Sequence, residues 1–83
     1  MIDLLYFASL REQLGSGKEQ IALQQIENIA DLKSTLSKRG ELWALAFTQQ
    51  ASLLVSVNQQ MADDLTPVKD GDEIAFFPPV TGG

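Results

Sequence analysis

Apolar residues alternate with other residues along four short segments of the chain, and this period of two is typical of β-strands. The four predicted strands cover residues 2–7, 19–24, 52–57 and 73–77. A tight turn at Asn58 and Gln59 leads into a fifth, short strand that ends at Met61. The pair Asp70-Gly71 is a strong turn signal ahead of the last strand. The pattern therefore predicts five strands.

A short helix is predicted between the first two strands. Ser9 and Glu12 have the spacing of a capping box, in which the two side chains bond the free amides of the first turn. Leu10 and Leu14 share one face of this helix, and Gly15 suits the left-handed residue that ends it.

A longer helix is predicted after the second strand. Asn28 is a favourable N-cap, and Asp31 places a negative charge in the first turn, where the helix dipole favours it. The core-facing stripe has spacings of three and four residues and consists of Ile29, Leu32 and Leu36. The end is marked by two cations and a closing glycine, at Lys38, Arg39 and Gly40.

Residues 41–50 fit two structures. Trp43, Leu45 and Phe47 alternate as in a strand, whereas the run from Trp43 to Ala46 would also make a helical turn. In both cases we expect Trp43 to be a core residue. The structure of residues 41–51 is left open by the pattern.

The order of elements is strand, short helix, strand, long helix, strand, short strand and strand. A mixed sheet with its main helix packed on one face is an α+β roll, and 83 residues allow one domain. The face without the helix would carry several apolar side chains, namely Leu5, Phe7, Leu54 and Phe77, with Met61 beside them. Scattered exposed apolar residues are normal, but several on one uncovered face favour a partner surface.

Cysteine and histidine are both absent from the sequence. Their absence excludes disulfides, thiol catalysis and the usual zinc sites, together with every Ser-His or Cys-His nucleophile pair. The composition therefore argues against an enzyme that acts on its own.

Eleven acidic and six basic residues give a net charge of −5, which disfavours binding to nucleic acid. Most of the excess negative charge lies in residues 63–73. This segment has one basic residue, Lys69, and five acidic ones: Asp63, Asp64, Asp70, Asp72 and Glu73. Their spacing does not fit a calcium-binding loop, so a solvated turn region is the first interpretation and a partner-facing charged patch the second. The run Gly15-Ser16-Gly17-Lys18 lacks the spacing of a phosphate loop and predicts a plain turn. No apolar run is long enough to span a membrane, and no export signal is present, so we expect a cytoplasmic protein.

The last six residues predict an extended tail. Pro78 and Pro79 stop the final strand, because neither donates to a sheet ladder, and both favour an extended path. From Pro78 to Gly83 the tail would reach roughly 20 Å. The pair Gly82-Gly83 has no side chains and could pass through a narrow tunnel. A frayed terminus is the alternative.

The C-terminal block joins Asp70-Gly71-Asp72-Glu73 to Phe76-Phe77-Pro78-Pro79-Val80-Thr81-Gly82-Gly83. Shorter matching pieces are Phe7-Ala8, Arg11-Glu12, Trp43-Ala44-Leu45 and Val57-Asn58-Gln59. With these motifs the chain resembles, over essentially its whole length, the MoaD-type sulfur carriers, the small subunits of molybdopterin synthase. The resemblance implies a β-grasp, ubiquitin-like fold, with residues 1–77 as the domain and residues 78–83 as the tail.

The resemblance also implies that the reactive group is the C-terminus itself. In this family an activating enzyme adenylates the terminal carboxylate with ATP, and the adenylate is converted to a thiocarboxylate. Gly83 would carry AMP and then sulfur, Gly82 would give clearance beside it, and no cofactor or metal would be bound permanently. The sulfur goes to cyclic pyranopterin monophosphate and forms the molybdopterin dithiolene, a step of molybdenum cofactor biosynthesis.

The partners implied by the resemblance are the large subunit of molybdopterin synthase, an E1-like adenylyltransferase and a sulfur donor, with no nucleic acid and no membrane. The active site is expected on the large subunit, in a heterotetramer of two small and two large subunits. Family positions assign the docking patch to Phe7, Met61 and Phe77. The threaded tail would be Pro78, Pro79, Val80 and Thr81, and Arg11 is a candidate polar contact at the rim.

Three other functions stay open. The chain could be a sulfur carrier for another pathway, such as thiamine thiazole synthesis or tRNA thiolation. It could be a ubiquitin-like modifier that is conjugated to lysines. It could also be a β-grasp interaction module whose tail is inert.

Overall fold

The computed structural model describes residues 1–48 and 53–78. Within these ranges the chain forms five strands and three helices. In chain order they are β1 (Ile2–Tyr6), α1 (Ala8–Leu14), β2 (Lys18–Ile21), α2 (Ile29–Ser37), α3 (Glu41–Thr48), β3 (Leu54–Val57), β4 (Gln60–Met61) and β5 (Glu73–Phe77).

The five strands form one mixed sheet in the order β2-β1-β5-β3-β4. The first and last strands of the chain, β1 and β5, lie parallel at its centre, and the other pairs are antiparallel. The register places Tyr6 opposite Phe76 and Leu5 opposite Ala75. The mixed sheet predicted from the sequence is confirmed.

One face of the sheet is covered by the helices, as the alternation predicts. The inward residues of the central strands are fully buried and pack against the predicted stripe of α2, forming a core that contains Ile2, Leu4, Tyr6, Ile74, Phe76, Ile29, Leu32 and Leu36. The predicted cap of α2 is also confirmed, because the Asn28 side chain accepts a hydrogen bond from the Asp31 amide at 2.9 Å. The Asp31 carboxylate in turn accepts a hydrogen bond from the Glu27 amide at 3.0 Å, so two reciprocal hydrogen bonds cap the start of the helix.

The capping box predicted for the first helix is wrong. The helix α1 begins at Ala8, and its N-cap is Phe7, which makes no side-chain capping bond. The Phe7 amide instead donates to the Phe76 carbonyl at 3.1 Å, so sheet pairing holds Phe7 extended up to the first helical residue. Ser9 therefore lies inside the helix. The predicted end is confirmed, since Gly15 adopts a φ of 72° and its amide donates to Arg11.

Several predicted elements extend beyond the observed ones. The first strand ends at Tyr6 instead of residue 7, and the third begins at Leu54 instead of residue 52. The second strand ends at Ile21 instead of residue 24, because its partner β1 begins at Ile2, directly opposite Ile21. The helix α2 ends at Ser37, and its C-cap is Lys38 in the right-handed conformation rather than Gly40. The cations expected in the last turn therefore lie just beyond it.

Residues 41–48, which the pattern left open between strand and helix, form the helix α3. Trp43, Ala46 and Phe47 face the core with helical spacing, whereas Leu45, which a strand would bury, is 38% exposed. This helix adds a third to the predicted order. Residues 49–52 lie outside the described part of the chain.

Four aromatic rings form a cluster beneath one end of the central strands. Tyr6 stacks parallel to Phe76 at 6.3 Å between centroids, and Phe47 meets Phe76 edge to face at 5.0 Å. Trp43 meets Tyr6 edge to face at 5.6 Å, which confirms its predicted place against the core. The cluster therefore joins α3 to β1 and β5.

A polar hub closes this cluster at the sheet edge. The Tyr6 hydroxyl donates to the Glu19 carboxylate at 2.9 Å, and the Arg39 guanidinium donates two bonds to the same carboxylate at 2.8 and 2.9 Å. The guanidinium also lies 4.7 Å from the centroid of the Trp43 ring. Arg39 can reach both groups because α2 has already ended, so one carboxylate ties β1 and β2 to the segment between the two long helices.

The hub shifts the pKa of its members. The hydrogen bond from Arg39 lowers the pKa of the Glu19 carboxyl below its ordinary value, although partial burial acts in the opposite direction. Burial, with the bond to Glu19, raises the pKa of the Tyr6 hydroxyl far above its ordinary value. The phenol is therefore protonated at neutral pH and donates to Glu19.

We expect Glu19→Gln to reduce the pH dependence of the free energy of unfolding. Folding lowers the pKa of Glu19, so its ion pair stabilises the chain fully above the ordinary pKa of 4.5 and is lost as the pH falls through the lower, folded value. The wild-type chain should exceed the variant in stability most near neutral pH, and the margin should shrink in acid. Urea unfolding of both chains across this pH range measures the margin.

The control is Glu12→Gln, because the Glu12 side chain is exposed and makes no ion pair within the described residues. A margin for Glu19→Gln that stays constant from neutral pH into acid would contradict the role given to the ion pair.

Candidate docking surface and the root of the tail

The sheet face opposite the helices can be followed row by row from the strand pairing. The register gives a middle row that crosses all five strands and consists of Lys18, Leu5, Ala75, Ser56 and Met61. Since successive side chains in a strand point to opposite faces, all five belong to the face away from the core. This row joins the apolar part of the face to its polar part.

The row beyond it, at the end of β5, is apolar. Leu54 lies directly opposite Phe77 in the β3–β5 pair. Phe7 is one residue beyond the pair Tyr6 and Phe76. The hydrogen bond from its amide to the Phe76 carbonyl keeps it alongside Phe77. The predicted apolar residues of the uncovered face therefore meet where the last strand ends.

The row at the other end of the face is polar. Asp3 lies between Gln20 and Glu73, and the Gln20 amide donates to the Asp3 carboxylate at 2.7 Å. The Asn58 side chain accepts from the Glu73 amide at 3.0 Å. The uncovered face thus changes from polar to apolar along β1 and β5, toward the point where the tail starts.

We call the apolar set Leu5, Phe7, Leu54, Met61 and Phe77 the docking patch. Phe7 is 47% exposed and Met61 is 65% exposed, while the other three are half-buried by their strand neighbours. Met61 lies two strands away from Phe77, on the edge strand β4. The structure therefore places the three predicted docking residues, Phe7, Met61 and Phe77, on one surface.

The tail starts at the apolar end of this surface. The strand β5 ends at Phe77, and Pro78 follows it as the last described residue. The other predicted tail residues lie outside the described part of the chain: Pro79, Val80, Thr81, Gly82 and Gly83. The docking patch and the root of the tail are therefore adjacent.

Arg11, the predicted rim residue, lies on the exposed side of α1. Its guanidinium lies against Gly17. The approach is so close that a Cβ atom on residue 17 would be 2.8 Å from Arg11 Nε. Lys18 follows and lies beside Leu5 in the middle row. Sequence reasoning missed Lys18, since only the strand register shows that it shares a face with the docking patch.

The acidic segment holds turns together. Asp63 accepts from the Leu65 amide at 2.9 Å, and Asp72 accepts from the Lys69 amide at 2.8 Å and from the Asn58 side chain at 2.9 Å. These bonds support the interpretation of residues 63–73 as a turn region. Within the described residues, no group of three acidic side chains is arranged to hold a metal ion.

Leu65, at the tip of this segment, is 81% exposed, and the pattern did not single it out.

None of the helices described here has the length and apolar character needed to cross a membrane.

Curated relatives match the chain from end to end. The sulfur carrier subunit of molybdopterin synthase from Escherichia coli is 40% identical over 83 residues, which cover all of both chains. The corresponding subunit from Haemophilus influenzae is 41% identical, again over the full length of both. The model of the ThiS family matches residues 4–83.

Solved structures share the fold. SAMP1 from Haloferax volcanii, a small archaeal modifier protein, superposes with a TM-score of 0.78 at 26% identity and covers 99% of this chain and 98% of its own. A chain in the complex of subunits 1 and 2 of the molybdopterin-converting factor from Helicobacter pylori gives a TM-score of 0.66 at 24% identity. The superposition covers 99% of this chain and 97% of that one. The ubiquitin-like β-grasp fold is therefore confirmed. The chain belongs to the ThiS family and, within it, to the family of molybdopterin synthase sulfur carrier subunits.

Proposed function

We propose that this sulfur carrier subunit bears its sulfur as a thiocarboxylate on Gly83 and delivers it to an active site in the large subunit of molybdopterin synthase. The observation that carries the proposal is the position of the docking patch, which reaches the root of the tail on the sheet face that the described helices leave uncovered. A partner bound there receives the tail directly.

The chemistry needs activation of a poor electrophile. A carboxylate oxygen of Gly83 attacks the α-phosphorus of ATP on the activating enzyme, and pyrophosphate leaves. A sulfur donor at the oxidation level of hydrosulfide then attacks the acyl carbon, the bond to AMP breaks, and the terminus becomes a thiocarboxylate. The carrier therefore needs no resident cofactor, and AMP is bound to it only transiently.

The chain contains neither cysteine nor histidine, and this mechanism requires neither from it. The thiocarboxylate sulfur is itself the nucleophile: it forms a bond to a carbon of cyclic pyranopterin monophosphate, and an oxygen substituent leaves that carbon. Water then cleaves the resulting thioester, so the sulfur stays on the product and Gly83 returns to a carboxylate. Two carriers in turn build the dithiolene. The groups that move protons and stabilise charge belong to the large subunit in this proposal. Gly82 keeps the space beside the reacting carbon free of side-chain atoms.

Docking and delivery are separate tasks for separate parts of the chain. The docking patch supplies affinity, since burying each large apolar side chain contributes about 1.5–3 kcal/mol before the cost of association. The segment from Pro78 to Gly83 supplies reach, roughly 20 Å when extended. The two prolines restrict the tail at its root, so less entropy is lost when it enters the partner.

The assembly we propose is a heterotetramer of two small and two large subunits. An E1-like adenylyltransferase and a separate sulfur donor act on the free carrier beforehand. Because activation consumes ATP, we place this cycle in the cytoplasm.

We expect Phe77→Asp to leave the fold intact and to abolish co-purification with the large subunit. Phe77 faces away from the core, so the fold tolerates a polar residue there. In the buried centre of an interface, replacing it with a charge removes at least about 1.5 kcal/mol of binding free energy, roughly tenfold in affinity. Pull-down with the tagged large subunit measures binding, and circular dichroism during heating measures the fold.

Leu42→Asp is the matched control, because Leu42 is 54% exposed on α3, on the helix side of the molecule. Equal recovery of the large subunit with the Phe77 and Leu42 variants would overturn the docking assignment, provided that both variants are folded.

The reactive terminus can be tested by intact-mass spectrometry. We expect incubation with ATP, the activating enzyme and a sulfur donor to add the mass difference between one sulfur and one oxygen atom. A chain without Gly83 should show no gain under the same conditions. The same gain in the shortened chain would place the sulfur elsewhere and refute the role of Gly83.

The match to the ThiS family and the likeness to an archaeal modifier protein make two alternatives specific. A carrier for thiamine or tRNA thiolation would restore strains blocked in those pathways, whereas we expect this chain to restore a strain that lacks its own molybdopterin synthase small subunit. A protein modifier would leave Gly-Gly remnants on lysines, which mass spectrometry of digested cell protein detects. An inert tail predicts that deletion of Gly82 and Gly83 changes nothing.

A further inference from the structure

One flank of the docking patch is basic, although the chain as a whole is acidic. Lys18 lies directly beside Leu5 in the β1–β2 pair and faces away from the core. The Arg11 guanidinium passes over Gly17, the residue before Lys18. Two cations therefore lie on this flank, Lys18 beside Leu5 and Arg11 against the turn that precedes Lys18.

These two cations are not neutralised by the fold. In residues 1–48 and 53–78, neither Arg11 nor Lys18 forms an ion pair, whereas Lys33 is paired with Asp64 and Arg39 with Glu19. The nearest carboxylate along β2, that of Glu19, points into the core side and is held by Tyr6 and Arg39. The positive charge of the flank is thus available to a partner.

The other flank has no cation on its edge strand. That strand, β4, consists of Gln60 and Met61, which are uncharged. In the turn region that follows, Asp64 is paired with Lys33 and Asp70 with the Met1 amino group. The sheet therefore carries a cation on one of its two edge strands only, so a partner with an acidic rim on one side matches the docking patch best in one orientation.

We propose that Arg11 and Lys18 form the orienting part of the docking surface and bind a carboxylate-bearing surface of the large subunit. This inference rests on the proposed function and adds the chemistry of the complementary surface. Apolar burial is non-directional, so the docking patch alone would allow the carrier to rotate on its partner. Charges at the rim fix the register and speed association, and a fixed register directs the tail toward the active site.

The test compares two variants that change the net charge equally. Lys18→Gln removes a cation beside the docking patch, and Lys38→Gln removes one from the exposed C-cap of α2, on the helix side. Binding of each full-length variant to the large subunit is measured by calorimetry at two salt concentrations. Charges are screened beyond roughly 10 Å at about 0.1 M salt and beyond roughly 3 Å at about 1 M salt.

We expect Lys18→Gln to weaken binding about two- to fivefold at the lower salt concentration, as for a rim ion pair. Lys18→Glu should weaken it further, Lys38→Gln should bind as the wild type does, and all differences should fade at high salt. Equal affinities of the Lys18 and Lys38 variants, or tighter binding of Lys18→Glu, would overturn the inference. Phe77→Asp, measured in the same assay, separates the two proposals, because retained binding of that variant refutes the docking patch itself.

Discussion

The parallel pairing of the first and last strands is the constraint on which the rest of the structure depends. Because β1 and β5 are neighbours at the centre of the sheet, Tyr6 lies opposite Phe76, and the residues that follow them, Phe7 and Phe77, lie side by side. The same register aims Tyr6 and Phe76 into the core and turns the next two residues outward. One pairing thus sets both the aromatic core and the docking patch, and it decides where the tail leaves the domain.

The aromatic cluster and its polar hub support this end of the sheet. Trp43 and Phe47 pack beneath Tyr6 and Phe76, and the Glu19 carboxylate joins Tyr6 to Arg39 at the edge. An 83-residue chain without disulfides has a small core, so support of this kind is needed wherever a surface must keep its shape. The aromatic cluster lies beneath the apolar end of the patch, whereas the acidic turns are held mainly by hydrogen bonds between polar groups.

Much of the fold was predictable because burial follows periodicity. Ile29, Leu32 and Leu36 on α2 and the alternating residues of β5 lie as their spacing indicates, and Asn28 caps its helix through the expected bond. Ser9 failed as a cap because sheet pairing of Phe7 overrode a local signal. Residues 41–48 were ambiguous because Trp43 and Phe47 are four residues apart, a spacing that fits one helix face and also the same side of a strand.

The sequence by itself determined which side-chain chemistry this protein lacks. The absence of cysteine and histidine, together with a terminal Gly-Gly after two prolines, directs attention to the C-terminus, since composition and order do not depend on folding. It also indicated which residues face away from the core, because alternation within a strand is local. Only the tertiary structure decided that Phe7, Leu54 and Phe77 meet at the root of the tail, and that Lys18 lies beside Leu5. These neighbours come from different strands, and the pairing that joins them depends on contacts between distant parts of the chain.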